Sequence, residues 1–242
     1  MDLIKTVGVT KIFGKQAAVR NAEIHIGNSE IYGLIGPSGA GKTTLIKLIV
    51  GMLEADKGEI KVLDIRMPNL DVLQEIGYMI QSDALYSGLT GEENLNFFAS
   101  LFGLDKTKKK ERIAYTSNLV FLNKELKKRV AAYSGGMKRR LSLAIALIQD
   151  PKILILDEPT IGIDPELRMK IWTEFRRFKK EEGKTILVTT HVMEEAAKCD
   201  KLAMIRNGNI IAEGSPAELK KQYRVTDLDE VFLKAGKDKN EN

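Results

Sequence analysis

The nine residues "GPSGAGKTT", Gly36 to Thr44, constrain this chain more than any others. They follow the apolar run "EIYGLIG" (30–36) and open "KTTLIKLIVGM" (42–52), where apolar residues recur at spacings of three and four. A strand that turns through glycines into a helix is the setting the G-x-x-x-x-G-K-[ST] pattern requires. Gly36, Gly39 and Gly41 let the backbone curl until successive N–H groups converge on phosphate oxygens, and the helix adds its positive amino end. Pro37, Ser38 and Ala40 complete the loop. Lys42 is placed to neutralise β- and γ-phosphates, Thr43 to give a hydroxyl to Mg²⁺, and Thr44 to reach the α-phosphate region.

A phosphate loop of this kind needs an acidic partner at the end of a neighbouring buried strand. The run "KILILDE" (152–158) supplies it: Ile153 to Leu156 deliver Asp157 and Glu158 to the carboxyl edge of a sheet, where ligands of open α/β sheets bind. Asp157 suits Mg²⁺, through water, and Glu158 suits the base that orients or activates an attacking water. A carboxylate pair there also fits a helix N-cap region. His191 ends the apolar run "KTILVTTH" (184–191) at what should be the same edge, a position for a γ-phosphate sensor.

Those runs, with "EIGYMIQ" (75–81), alternate with the amphipathic stretches "GEENLNFFASLFG", "KRRLSLAIALI" and "PELRMKIWTEFRRFKKEE". The alternation predicts an α/β fold, a mainly parallel sheet flanked by helices. Asn207-Gly208 between two apolar runs predicts a two-residue hairpin and hence a small antiparallel β element. Residues 91–149 read as largely helical, so a helical subdomain is expected there within one domain spanning 1–242. Its basic run "KTKKKER" (106–112) reads as a solvated helix face. The polar tail 234–242 is expected to fray.

At 242 residues the chain is long enough for a sizeable core, and a net charge of +5 is too small to choose between anionic ligands, nucleic acid and a membrane face. Cys199 is alone, which excludes an intrachain disulfide or a cysteine zinc cluster and reads as a buried thiol. The start "MDLIKTVGVTKIFG" does not read as a secretion signal, and the run Leu141 to Ile148 is far short of the roughly 20 apolar residues that span a bilayer. Any membrane role is therefore expected to come through a partner.

"YSGGMKRRLSLAIAL" (133–147) narrows the reading, because it resembles the signature segment of ATP-binding cassette (ABC) ATPases and stands, as theirs does, just before the acidic strand. Phe13 in "KIFGK" stands where that family places an adenine-stacking aromatic, Gln81 in "GYMIQSDALY" where it places the Q-loop glutamine, and Asp164 in "IGIDP" where it places the D-loop aspartate. "TTHVMEEA" matches the switch histidine, His191. Tyr133 and Met137 depart from the commoner Leu and Gln, but Ser134, Gly135 and Gly136 are unchanged, and Phe13 keeps an aromatic face where Tyr is frequent. The resemblance covers almost the whole chain. It implies a P-loop NTPase core, ATP as nucleotide, Mg²⁺ as cofactor with Gln81 joining Thr43 and Asp157 around it, and hydrolysis served by Glu158, His191 and Gln81.

It also implies a second cradle. Ser134 to Gly136 would reach ATP held by another subunit, so that two chains, identical or different, close head to tail over two nucleotides, with Asp164 coupling the sites. The compact form, with "IGIDPELR" and the late "DLDEVFLKAG" (227–236), looks like the ATPase subunits of bacterial drug and antibiotic exporters. The expected partner is then a separate transmembrane permease, and the expected place is the cytoplasmic face of the cell membrane, with the isolated chain soluble. Tyr86, Leu89 and the Glu92-Glu93 pair are placed to meet a permease helix; ordinary packing within the subdomain is the alternative reading of Tyr86 and Leu89. No nucleic acid is expected; a soluble ABC ATPase acting on nucleic acid or ribosomes is the second reading, and a P-loop small-molecule kinase the third.

Overall fold

The computed structural model describes residues 2–80 and 84–238. From the amino end run β1 (Asp2–Phe13), β2 (Gln16–Gly27), β3 (Ile31–Ile35), α1 (Lys42–Ile49), β4 (Lys57–Val62), β5 (Ile65–Arg66) and the single turn α2 (Leu70–Leu73). There follow β6 (Ile76–Met79), α3 (Gly91–Leu101), α4 (Lys106–Leu119), a 3-10 turn (Val130–Ala132), α5 (Gly135–Ala146), β7 (Ile153–Asp157) and α6 (Pro165–Glu182). The chain closes with β8 (Thr185–Thr190), α7 (Met193–Ala196), β9 (Lys201–Arg206), β10 (Asn209–Gly214), α8 (Pro216–Tyr223) and α9 (Leu228–Asp238). Two compact units result: one holds residues up to Val72 together with those from Thr185 onward, the other Leu73–Lys184.

In the first unit β3 pairs in parallel with β8 and with β9, and β10 continues from β9 antiparallel. All five residues of β3 and all six of β8 are buried, so both read in sequence as unbroken apolar or small-residue runs. Asn207 and Gly208, at φ 50° and 78°, make the two-residue turn between β9 and β10 that the sequence predicts. A second, antiparallel sheet in the order β2-β1-β4-β5 is built from residues 2–66 and goes beyond the hairpin expected from sequence. Cys199 is buried as expected, and burial pushes its thiol well above the ordinary range.

In the second unit β6 and β7 run parallel, Ile76 level with Ile153 and Met79 with Leu156. Helix α6 starts on an Asp164 cap with Pro165 in its first turn, and ends at Gly183 in the left-handed conformation. Its inner stripe is Ile171, Trp172, Phe175 and Phe178, each no more than 1% exposed, and the Trp172 and Phe175 rings meet edge to face at 5.6 Å. Each such side chain contributes about 1.5–3 kcal/mol by leaving water. Between residues 91 and 149 the α-helices are α3, α4 and α5, with the 3-10 turn Val130–Ala132 between the last two; α4 stops where Phe121 turns to φ 57°. Residues 234–238 of the polar tail belong to α9.

Helices α4 and α5 cap one another. Arg140, in the second turn of α5, donates to the carbonyls of Val120 and Phe121 at 3.1 and 2.8 Å, just past the end of α4. Arg112, in the second turn of α4, donates to Leu147 and Ile148 at 2.6 and 3.1 Å, just past the end of α5. The two helices therefore lie antiparallel, each placing a cation on the other's orphan carbonyls, where the helix dipole is negative.

Candidate active site

The phosphate loop leaves β3 at Ile35 and is walled by backbone from three directions. A Cβ on Gly36 would stand 2.2 Å from the carbonyl oxygen of Ile205 in β9, and one on Gly41 would stand 2.3 Å from that of Ala18 in β2. Only glycine permits both approaches, and Gly41 is also at φ 110°. The hairpin turn closes the third side: the Gly208 amide donates to the Ala40 carbonyl at 2.9 Å and the Arg20 amide to the Gly208 carbonyl at 2.8 Å. Lys42 is 6% exposed, and its Nζ donates to the carbonyls of Gly36 and Pro37 at 2.6 and 3.0 Å, which ties the ammonium beneath the loop it follows. The residue before α1 is Gly41, which has no side chain to cap the helix, and the positive amino end of α1 suits an anion beside Thr43 and Thr44. Pro37, Ser38 and Gly39 form the exposed crest.

Phe13, at the end of β1, is 50% exposed. It lines a cavity of ≈ 270 Å³ with Gln16, Ala17, Ala18, Arg20, Gly39 and the turn Asn207-Gly208. An aromatic face and the crest of the phosphate loop thus share one cavity wall, an arrangement suited to a flat base joined to phosphates. The Lys11 Nζ stands 5.8 Å from the ring centroid.

His191 follows β8, whose Thr190 lies level with Ile35 in the parallel register. The imidazole is therefore carried one residue past the point where β3 becomes the phosphate loop, on an adjacent strand roughly 4.8 Å away. The turn beneath it is fixed by Thr190, whose hydroxyl donates to the buried Glu195 carboxylate at 2.7 Å and accepts from the Val192 amide at 3.0 Å.

In the second unit Asp157 and Glu158 are 1% and 8% exposed at the end of β7, and Glu158 holds a left-handed backbone, φ 52°. A non-glycine residue in that region is strained, and such residues concentrate at functional sites. Arg139 of α5 secures it. Its Nε donates to the Glu158 carbonyl at 3.0 Å, its Nη2 to the carbonyls of Asp157 and Glu158, and its Nη1 to Ile80 at 3.4 Å, past the end of β6. Sequence reasoning missed Arg139, although a signal was there: it shares a helix face with the buried Leu143 and Ala146, at i+4 and i+7, where a charge survives only if its donors are satisfied. Nearby, burial pushes the Tyr78 hydroxyl up to about 12, with the Asp157 charge adding to it, and that hydroxyl has no hydrogen-bond partner among the described residues. Gln81, two residues beyond Met79, lies outside the described residues.

Ser134 and Asp164 both act as helix caps. The Ser134 hydroxyl accepts from the Met137 amide at 3.2 Å, and Asp164 Oδ1 from the Leu167 amide at 3.0 Å. Both are exposed, as is Gly135, around which an added Cβ would meet nothing within 4 Å. Gly136 instead backs onto the D-loop: its Cβ would stand 2.7 Å from the Gly162 carbonyl. The first unit therefore gathers Phe13, the phosphate loop and His191, and the second gathers the acidic strand end, the signature turn and Asp164.

The family model described as "ABC transporter" matches residues 19–161, a stretch that includes the phosphate loop, the signature turn and the acidic pair. The chain belongs to the ABC transporter family. The cassette is 41% identical over 232 residues to the Nod factor export ATP-binding protein I of Rhizobium sp. (strain N33), spanning 95% of this chain and 76% of that protein. It is 38% identical over 222 residues to the probable multidrug ABC transporter ATP-binding protein YbhF of Escherichia coli (strain K12), spanning 91% of this chain and 38% of that protein. Among solved structures, an ATP-binding subunit of an ABC transporter superposes with a TM-score of 0.88 at 27% identity, covering 97% of this chain and 99% of that one. A dimeric post-hydrolysis state of the ATP-binding cassette MJ0796 bound to ADP and Pi superposes at 0.81 with 25% identity, covering 88% and 98%. The cassette is an ATPase of P-loop fold.

Proposed function

We propose that this cassette powers export of a drug, antibiotic or other small lipophilic molecule through a separate membrane permease, as one of two ATPase subunits that close over ATP. The observation that carries the reading is the turn Ser134–Gly136 at the amino end of α5, exposed at Ser134 and Gly135. One chain needs a single phosphate cradle, and the cassette already has one at Gly36–Thr44. A second, solvent-facing cradle suits the γ-phosphate of ATP on another subunit. The relatives named for Nod factor export and multidrug transport support the direction of transport, and the dimeric cassette supports the pairing. Among the described residues no helix is long and apolar enough to cross a membrane, so the permease would hold the cassette at the cytoplasmic face.

In this reading Phe13 stacks the adenine, the amides of Gly36 to Thr44 take the phosphates, and Lys42 neutralises the β- and γ-oxygens. Thr43, Gln81 and Asp157 offer the hard oxygen donors that Mg²⁺ prefers, and the ion would arrive with its phosphates, since no group of three or more His, Cys, Asp or Glu among the described residues could hold a metal alone. Held there, Mg²⁺ would neutralise charge on the phosphates. Glu158 takes the proton of the attacking water, His191 contacts the γ-phosphate, and Asp164 couples the two sites across the dimer. Loss of the γ-phosphate removes contacts made only in the closed state, and the dimer reopens.

Residues 91–149 form the helical lever on which the permease acts. The exposed Tyr86 meets Phe97 edge to face at 4.9 Å, and Phe97 meets Phe98 at 5.3 Å, which gives a permease segment an aromatic surface. Glu93 is engaged in the capping box of Thr90, and its partner Glu92 stands exposed.

The deciding measurement is gel filtration of Glu158→Gln with Mg-ATP, alone and combined with Ser134→Arg. The single variant should bind ATP, lose turnover and elute as a dimer, and the added bulk at the second cradle should return it to monomer. A Glu158→Gln protein that stays monomeric at high concentration refutes the sandwich. Capture of ribosomes or nucleic acid from detergent-solubilised cells, with no multi-span protein, refutes the transporter role.

A further inference from the structure

The net positive charge of the chain is concentrated in one stretch of sequence. Residues 105–129 hold nine Lys and Arg against three Asp and Glu, a net of +6 where the whole chain carries +5, so all the rest is net −1. The fold gathers part of this excess into a groove of ≈ 520 Å³ in the second unit, with Lys106, Lys109 and Lys110 of α4 on its wall and Glu92 as the acidic residue among its lining. Lys109 is held by the Ser100 hydroxyl at 2.7 Å, while Lys106, Lys110 and Lys127 make no ion pair among the described residues.

We propose that this face binds the anionic surface of the membrane, resting on phospholipid headgroups beside the permease. The lining argues for lipid over nucleic acid. Single-stranded nucleic acid is held by aromatic side chains that stack its bases, and none lines the groove, whose apolar residues are Ile113, Ala114 and Leu126. The cations are mostly lysines, compact point charges suited to a diffuse field of headgroups, whereas paired recognition of one phosphate favours arginine. Each lysine near an acidic bilayer strengthens binding about fivefold, so this face alone gives weak, salt-sensitive attachment. For a cassette already tethered by a permease, as proposed above, such attachment fixes orientation, because the second contact is intramolecular.

The test uses the full chain and sedimented vesicles of phosphatidylcholine, alone or mixed equally with phosphatidylglycerol. Wild type should sediment with the acidic vesicles only and be released by salt. Lys106→Glu with Lys110→Glu should bind at least about tenfold more weakly, while Lys57→Glu with Lys221→Glu, an equal charge change on the first unit, should bind as wild type. All three proteins should hydrolyse ATP alike, which shows that they are folded. Equal loss in both double variants, equal binding to neutral vesicles, or binding to a single-stranded oligonucleotide but not to acidic vesicles would overturn the proposal. The assay contains no permease, so its result stands apart from the transporter reading: failure to capture a permease leaves vesicle binding unaffected, and failure here leaves capture unaffected.

Discussion

Arg139→Met should separate catalysis from nucleotide binding. The substitution keeps an apolar stem of similar length and deletes every donor that now reaches Asp157, Glu158 and Ile80. A hydrogen bond from a charged donor contributes about 1.5–3 kcal/mol, but these carbonyls share one half-buried guanidinium, so we expect unfolding free energy to fall by about 2–4 kcal/mol in total. That is within the roughly 5–15 kcal/mol by which domains are stable, and the protein should remain folded. The larger effect is on Glu158, whose left-handed backbone itself costs about 1–3 kcal/mol and relaxes once its carbonyl is released. With Glu158 as the proposed base, and a displacement of about 1 Å costing a reacting group on the order of 100-fold in rate, kcat should fall by about 10- to 100-fold. The KM for ATP, which in the proposed reading rests on Phe13 and the phosphate loop, should stay within about threefold. Arg139→Lys, with one ammonium for several carbonyls, should recover part of the rate. The assay is steady-state ATP hydrolysis beside a urea denaturation curve for each variant. A wild-type kcat in Arg139→Met, or a fall in kcat no larger than the loss of folded protein, refutes the idea that this guanidinium positions the carboxylate.

Lys42→Ala removes the ammonium beneath the loop and should abolish ATP binding by calorimetry; unchanged affinity would remove the phosphate-loop assignment. Gly36→Ala drives a methyl to 2.2 Å from the Ile205 carbonyl, so it should displace the loop and weaken nucleotide binding at least about tenfold with a stability loss of about 1–3 kcal/mol, read by the same titration and a thermal melt. Tyr78→Phe deletes a buried hydroxyl with no partner among the described residues, so stability should be unchanged or higher by up to about 1 kcal/mol in urea; a clear loss would show that the hydroxyl is bonded.

The phosphate loop was legible because its constraints are local: glycines at fixed offsets, a lysine and a threonine, between an apolar run and a helix. β3, β7 and β8 were legible because strands buried on both faces read as unbroken apolar or small-residue runs. The amino-terminal sheet was not. β1 pairs with β2 through several register shifts, and Gly8 sits at φ 62°, so the alternation that marks a strand is broken within its twelve residues. The cap at Ser134 was readable as a short side chain before a helix, whereas Asp164 reads from sequence as a loop carboxylate and proves to cap α6. The bonds of Arg139 were not, since its acceptors lie 18 and 19 residues later and 59 earlier, and only the fold brings them within reach.

The exchange of arginines between α4 and α5 limits how such a chain can change length. A residue inserted between Arg112 and the end of α4 would rotate that end by about 100° relative to Arg112, and one of the two capping contacts would be lost. Insertions between Phe121 and Arg129 leave both contacts in place. Growth and shrinkage of the helical segment should therefore be confined to that connection, while both helices keep their number of turns.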